Sequence, residues 1–146
     1  MKSYGPLLIV FAFVVLCFSP AVTHASCTAS TISGAYGFTA QGFTMKPGDP
    51  VSKAIAIALV GSVTFNADGT VNRAFTLSAA GQITSDTNSG TYTVNPDCSG
   101  SIAFNAPFGL ETFSFTIVGK GAAILFLNTT TLPNFGFVES GRMEKQ

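Results

Sequence analysis

From Gly34 to Glu144, apolar and polar residues alternate with a period of two, interrupted at intervals by Gly, Asn, Asp and Pro. That period belongs to half-buried strands, whose successive side chains point to opposite faces. Stretches at 34–43, 53–66, 70–79, 88–95, 99–106, 111–118, 122–128 and 135–144 read as strands. In the sixth, Phe113, Phe115 and Ile117 share one face, and Thr112, Ser114 and Thr116 share the other. In the second, Ile55, Ile57, Leu59, Gly61, Val63 and Phe65 keep one register opposite Ala54, Ala56 and Ala58, an alternation too regular for a helix. Eight sequential strands with short links predict an all-β fold, an eight-stranded antiparallel up-and-down barrel whose closure removes exposed edges. A two-sheet β-sandwich has the same periodicity and is the alternative.

The strands do not start at the N-terminus. Lys2 precedes an apolar block from Pro6 to Phe18, and small residues follow up to Ser26, which is the layout of a secretory signal peptide cut after Ala25. The block falls short of the roughly 20 apolar residues a membrane span needs. The expectation is a leader over 1–25 and one barrel domain over 26–146, exported to the periplasm or beyond. Losing the leader removes Lys2 and leaves six basic residues against seven acidic ones, which offers no electrostatic footprint for nucleic acid. It also removes His24, the single histidine, and with it any Ser-His-Asp triad, histidine acid/base or histidine-held metal. No cofactor or metal is expected.

Cys17 lies in the leader too, so Cys27 and Cys98 reach an oxidising compartment as a pair, and a disulfide is the expected state. Lipidation of Cys27 is disfavoured because His24, three positions before it, is not the aliphatic residue such a site usually carries. Topology makes the pairing concrete. Alternate links of an up-and-down barrel share a rim, and the compact ones at 66–69, 95–100 and 119–121 fall together. Cys27, just ahead of the first strand, lies at that tight rim with Cys98. Their bridge would tie down the N-terminal arm and stopper the closed end. The longer links at 44–52, 80–88, 105–109 and 129–134 form the other rim, where a ligand mouth belongs.

Two charges interrupt apolar faces. Arg73 shares a face with Val71, Phe75 and Leu77, and Glu139 shares one with Phe137, Gly141 and Met143. An unpaired inward charge is costly, so an Arg73–Glu139 pair across the barrel is expected, with Tyr36 or Tyr92 nearby; a bulge would instead put either charge in solvent. Glu111, at the loop rim, reads as a solvated strand-end charge. Asp68 and Asp97 read as hairpin-turn residues rather than calcium ligands. Asn128-Thr129-Thr130 is a glycosylation sequon, meaningful only in a eukaryotic host.

The segments "GAYGFTAQGF", "GSVTFNADGTV", "GTYTVNPDCSGSI" and "SGRMEKQ" resemble, in that order, a group of uncharacterised exported bacterial proteins with a leading cysteine and a G-T-Y-x-V-x-x-D-C-x-G hairpin. The resemblance spans nearly all of the chain after the leader. It implies a bacterial exported barrel with its two cysteines paired, and it brings no activity. A looser architectural likeness links such barrels to the calycin-like lipocalins and to allene oxide cyclase, although the chain has no tryptophan to match the lipocalin signature.

Of 14 phenylalanines, eleven lie beyond the leader. The leading expectation is therefore a cavity for an apolar small molecule, lined by Tyr36, Phe38, Phe75, Tyr92, Phe113, Phe115 and Phe137. The alternative is a barrel filled by its own side chains, serving as a structural or surface-interaction module. The third reading is a cyclase or isomerase with Glu139, Arg73 and a tyrosine as polar actors.

Overall fold

A computed structural model describes residues 26–132 and 135–146; the leader read over 1–25 lies outside the described residues. One helical turn, α1 (Ala29–Ile32), precedes strands β1 (Gly34–Met45), β2 (Ile55–Phe65), β3 (Thr70–Ala79), β4 (Gln82–Val94), β5 (Ser99–Ala106), β6 (Gly109–Val118), β7 (Ala123–Asn128), β8 (Thr131–Leu132) and β9 (Phe135–Lys145). Neighbours in sequence pair antiparallel from β1 to β7, β7 pairs with β9, and β9 returns to β1. The result is a closed eight-stranded barrel, with β8 added as a short extra strand on β9. The sandwich alternative is excluded by the β1–β9 ladder, which runs from Tyr36↔Lys145 to Met45↔Gly136.

The links depart from expectation at the loop rim. β4 begins at Gln82, so the segment read as a loop over 80–88 is mostly strand, and β3 turns into β4 through Ala80 and Gly81. Gln82–Thr87 is exposed on both faces because this hairpin rises above the barrel wall, which is why its sequence looks like a loop. β5 likewise turns into β6 through Pro107 and Phe108. Among the described residues, irregular backbone at this rim lies after β1, over 46–54, and at 129–130 after β7.

At the tight rim, two turns are built alike. In 66–70, Asp68 Oδ1 accepts from the Thr70 amide (2.9 Å) and hydroxyl (2.7 Å), and Gly69 has a φ of 86°. In 95–99, Asp97 Oδ1 accepts from the Ser99 amide (3.0 Å) and hydroxyl (2.6 Å), and Cys98 has a φ of 67°. Cys98 therefore occupies the left-handed position that its sister turn gives to glycine, a conformation costing a β-carbon about 1–2 kcal/mol. Its sulfur bonds Cys27 across a sequence separation of 71 residues, with the Cα atoms 4.9 Å apart. By chain entropy such a closure contributes about 4 kcal/mol.

The bridge fastens α1 over the closed end. Ile32 is fully buried there, and Tyr36 donates to the Gly121 carbonyl at 2.6 Å. Gly121 itself lies so close to α1 that an added β-carbon would sit 2.2 Å from the Thr31 carbonyl oxygen. Above this stopper the barrel is solid. Rings of Tyr36, Phe65 and Tyr92 stack edge to face, as do those of Phe104, Phe113 and Phe126. Inward glycines make room for them: a β-carbon on Gly61 would lie 2.8 Å from the Phe38 ring, and one on Gly100 would lie 2.2 Å from the Phe115 ring. A ring laid over a bare glycine lets a narrow barrel bend tightly and still fill.

Candidate functional site: a cavity at the open rim

Toward the other rim, the inward residues become shorter and aliphatic. Ile55, Ile57 and Leu59 of β2 and Leu77 and Ala79 of β3 no longer reach across the axis, and a cavity of about 620 Å³ opens between them. Phe75, Phe108, Leu132 and Phe137 complete its apolar wall. Phe108 and Phe137 lie together with ring centroids 5.8 Å apart.

The floor is polar and almost wholly buried. Arg73 and Glu111 form a buried ion pair through Nη2 and Oε2. The β3–β4 register sets Asn88 opposite Arg73, and Arg73 Nη2 donates to Asn88 Oδ1 at 2.7 Å. The guanidinium carbon sits 4.5 Å from the Phe75 ring centroid and 4.2 Å from that of Phe104, so aromatic faces flank it. Asn128, the last residue of β7, donates from Nδ2 to Glu111 Oε1 (3.3 Å) and to Glu139 Oε2 (3.2 Å). Its own Oδ1 accepts from the Thr130 amide at 2.8 Å, which starts the link toward β9. Burial pushes the Glu139 carboxyl above the usual range; the Asn128 hydrogen bond opposes this, the Glu111 charge adds to it, and Arg73 opposes it. Among the described residues, the buried atoms Thr44 Oγ1 and Arg73 Nε have no hydrogen-bond partner.

Several expectations need correction here. Arg73 and Glu139 are both inward, but the ion-pair partner of Arg73 is Glu111, and Glu139 accepts from Asn128. Glu111 is buried rather than solvated, because the rising β3–β4 and β5–β6 hairpins enclose the start of β6. Of the seven residues expected to line a cavity, Phe75 and Phe137 do so. Phe38, Phe113 and Phe115 belong to the solid half, where their rings meet neighbouring rings or glycines. Tyr36 and Tyr92 lie at the stoppered end, where Tyr92 donates to the Asn66 carbonyl at 2.6 Å. Burial raises both phenols, with the charge of Tyr92 adding for Tyr36 and that of Asp68 for Tyr92. Neither can assist Glu139. The Asn128 amide is buried and committed, so the sequon is closed in the folded chain. Thr44, Asn88 and Asn128 were missed as floor residues, although Thr44 shares its parity with Phe38 and Asn88 with Tyr92, both read as inward; Asn128 shares its face with Ile124 and Phe126, to which no face had been given.

Fold and site together define a closed antiparallel barrel that is solid at one end and hollow at the other. No protein-family model and no curated protein matches the chain. Among solved structures, it is similar to one described as "De novo design of a fluorescence-activating beta barrel", with a TM-score of 0.54 and 11% identity, covering 81% of this chain and 96% of that one. At that identity the likeness is one of fold. Among the described residues no helix is long and apolar enough to cross a membrane, and no group of His, Cys, Asp and Glu is placed to hold a metal ion.

Proposed function

We propose that this chain is an exported bacterial β-barrel that takes up an apolar small molecule through its loop rim. The cavity of about 620 Å³ carries this reading. It falls within the range of about 300–1,000 Å³ typical of small-molecule sites, and its apolar wall over a few convergent polar groups matches their usual make-up. The Cys27–Cys98 disulfide supports export, since such bonds persist in oxidising compartments. The filled-barrel alternative describes the lower half only. The cyclase or isomerase reading keeps Glu139, held by Asn128, as its polar actor in the cavity, with Arg73 committed to Glu111 and both tyrosines at the far end.

Titration of the full chain, produced under oxidising conditions, with the neutral dye N-phenyl-1-naphthylamine tests the proposal. Saturable emission enhancement is expected, and Leu77→Trp, which fills the wall, should reduce it while leaving the far-UV spectrum unchanged. A natively folded protein that gives no enhancement overturns the reading.

A further inference from the structure

The titratable side chains on the cavity wall are Arg73 from β3, Asp86 from β4, Glu111 from β6 and Glu139 from β9. Arg73 and Glu111 neutralise each other. Asn128 from β7 bridges the two glutamates without supplying charge, and β1 contributes only the hydroxyl of Thr44. Glu139 is therefore a second buried carboxyl beside a single cation that is already engaged. Asp86, exposed near the mouth, adds to the acidic excess. Among the described lining residues there is no lysine and no histidine.

From this imbalance we infer that the cavity selects apolar molecules carrying one positive charge, an alkyl- or arylammonium group, with the cation seated between Glu139 and Thr44. The inference rests on the cavity being the binding site proposed above. An ammonium group supplies the missing charge, and its N–H donors meet acceptors: the ionised Glu139 and Thr44 Oγ1, which is buried and unpartnered. Arg73 Nε, also without a partner among the described residues, belongs to a guanidinium whose central carbon lies over the Phe75 and Phe104 rings and whose Nη2 is engaged by Glu111 and Asn88. Phe75 and Phe137 on the wall offer aromatic faces that suit an organic cation. An anionic headgroup would instead meet Glu139, with the Arg73 cation already engaged by Glu111.

Without ligand, burial favours the protonated form of Glu139; an ammonium favours the ionised form. Binding then expels a proton, so affinity for the cation rises as pH climbs through the raised Glu139 range and levels off above it.

Calorimetric titration with octylammonium, 1-octanol and octanoate, one chain length in three charge states, tests this on the full protein. Octylammonium is expected to bind at least about tenfold tighter than octanoate, a difference of ~1.4 kcal/mol, and tighter than octanol. Glu139→Gln should reduce the ammonium preference over octanol to near unity. Buffers of differing ionisation enthalpy should report proton release for the ammonium alone. Octanol or octanoate binding as well as octylammonium, in a protein that still binds the neutral dye, overturns the charge selectivity and leaves the cavity's function standing. Failure of the dye and of all three compounds overturns both.

Discussion

The two halves of this barrel are made from the same strands and do opposite things with their interiors. In the stoppered half, long rings meet across the axis, glycines admit them, and only a void of about 10 Å³ is left among Phe38, Val63, Ile102, Phe113 and their neighbours. In the open half, β2 and β3 present Ile57, Leu59, Leu77 and Ala79, which are too short to meet, over a floor of charge and amide groups. Solidity in one half secures the fold and leaves the other half free to remain empty. The polar floor is the boundary: a charged layer cannot collapse into the rings below without losing its partners.

The largest expected effect tests that boundary. Arg73→Met or Glu111→Leu should each destabilise the protein by about 3–5 kcal/mol, because the survivor is left buried and unpaired. The double variant should recover much of this in urea unfolding. A purely additive cycle would show that the floor is not held by this pair. The next contrast sets the halves directly against each other. Phe113→Ala in the solid half should cost about 3–5 kcal/mol, while Leu77→Ala, on a wall that already faces open space, should cost about 1 kcal/mol or less. Equal losses would mean that the open half is as tightly packed as the other. The smallest effect concerns the fastening of the closed end. In reductant, Cys98→Gly should melt above the wild type by the equivalent of about 1 kcal/mol, because glycine accepts the left-handed turn without strain. Without reductant the order reverses, since the wild type regains its bridge. Coincident melts in reductant would show that the turn holds no strain.

Parity carried most of the fold. It placed the eight barrel strands and turned Arg73 and Glu139 inward, while the alternation of links between rims put Cys27 beside Cys98. It could not assign height along the barrel axis, because alternation says which face a side chain takes and not how far up the wall it sits. Phe38, Phe75 and Phe113 all read as inward, yet only Phe75 reaches the cavity. The same blindness hid the choice of partner for Arg73, since Glu111 and Glu139 have equal claims until strand stagger brings one of them level. Gln82–Thr87 escaped because strand pairing above the wall needs no buried face, and so leaves no apolar signal.

The β1–β9 ladder has a consequence in time. β1 meets its first neighbour across the link 46–54, but its second, β9, lies about 100 residues further along the chain. A partner that far along the chain is slow to pair, because loop-closure entropy opposes the contact, so one flank of β1 stays open until β9 arrives. Throughout that interval, its unpaired amides and carbonyls are a template for any other extended chain. Loss of β9 (Phe135–Lys145) would make the wait permanent, so deleting it should harm solubility more than shortening the 46–54 link.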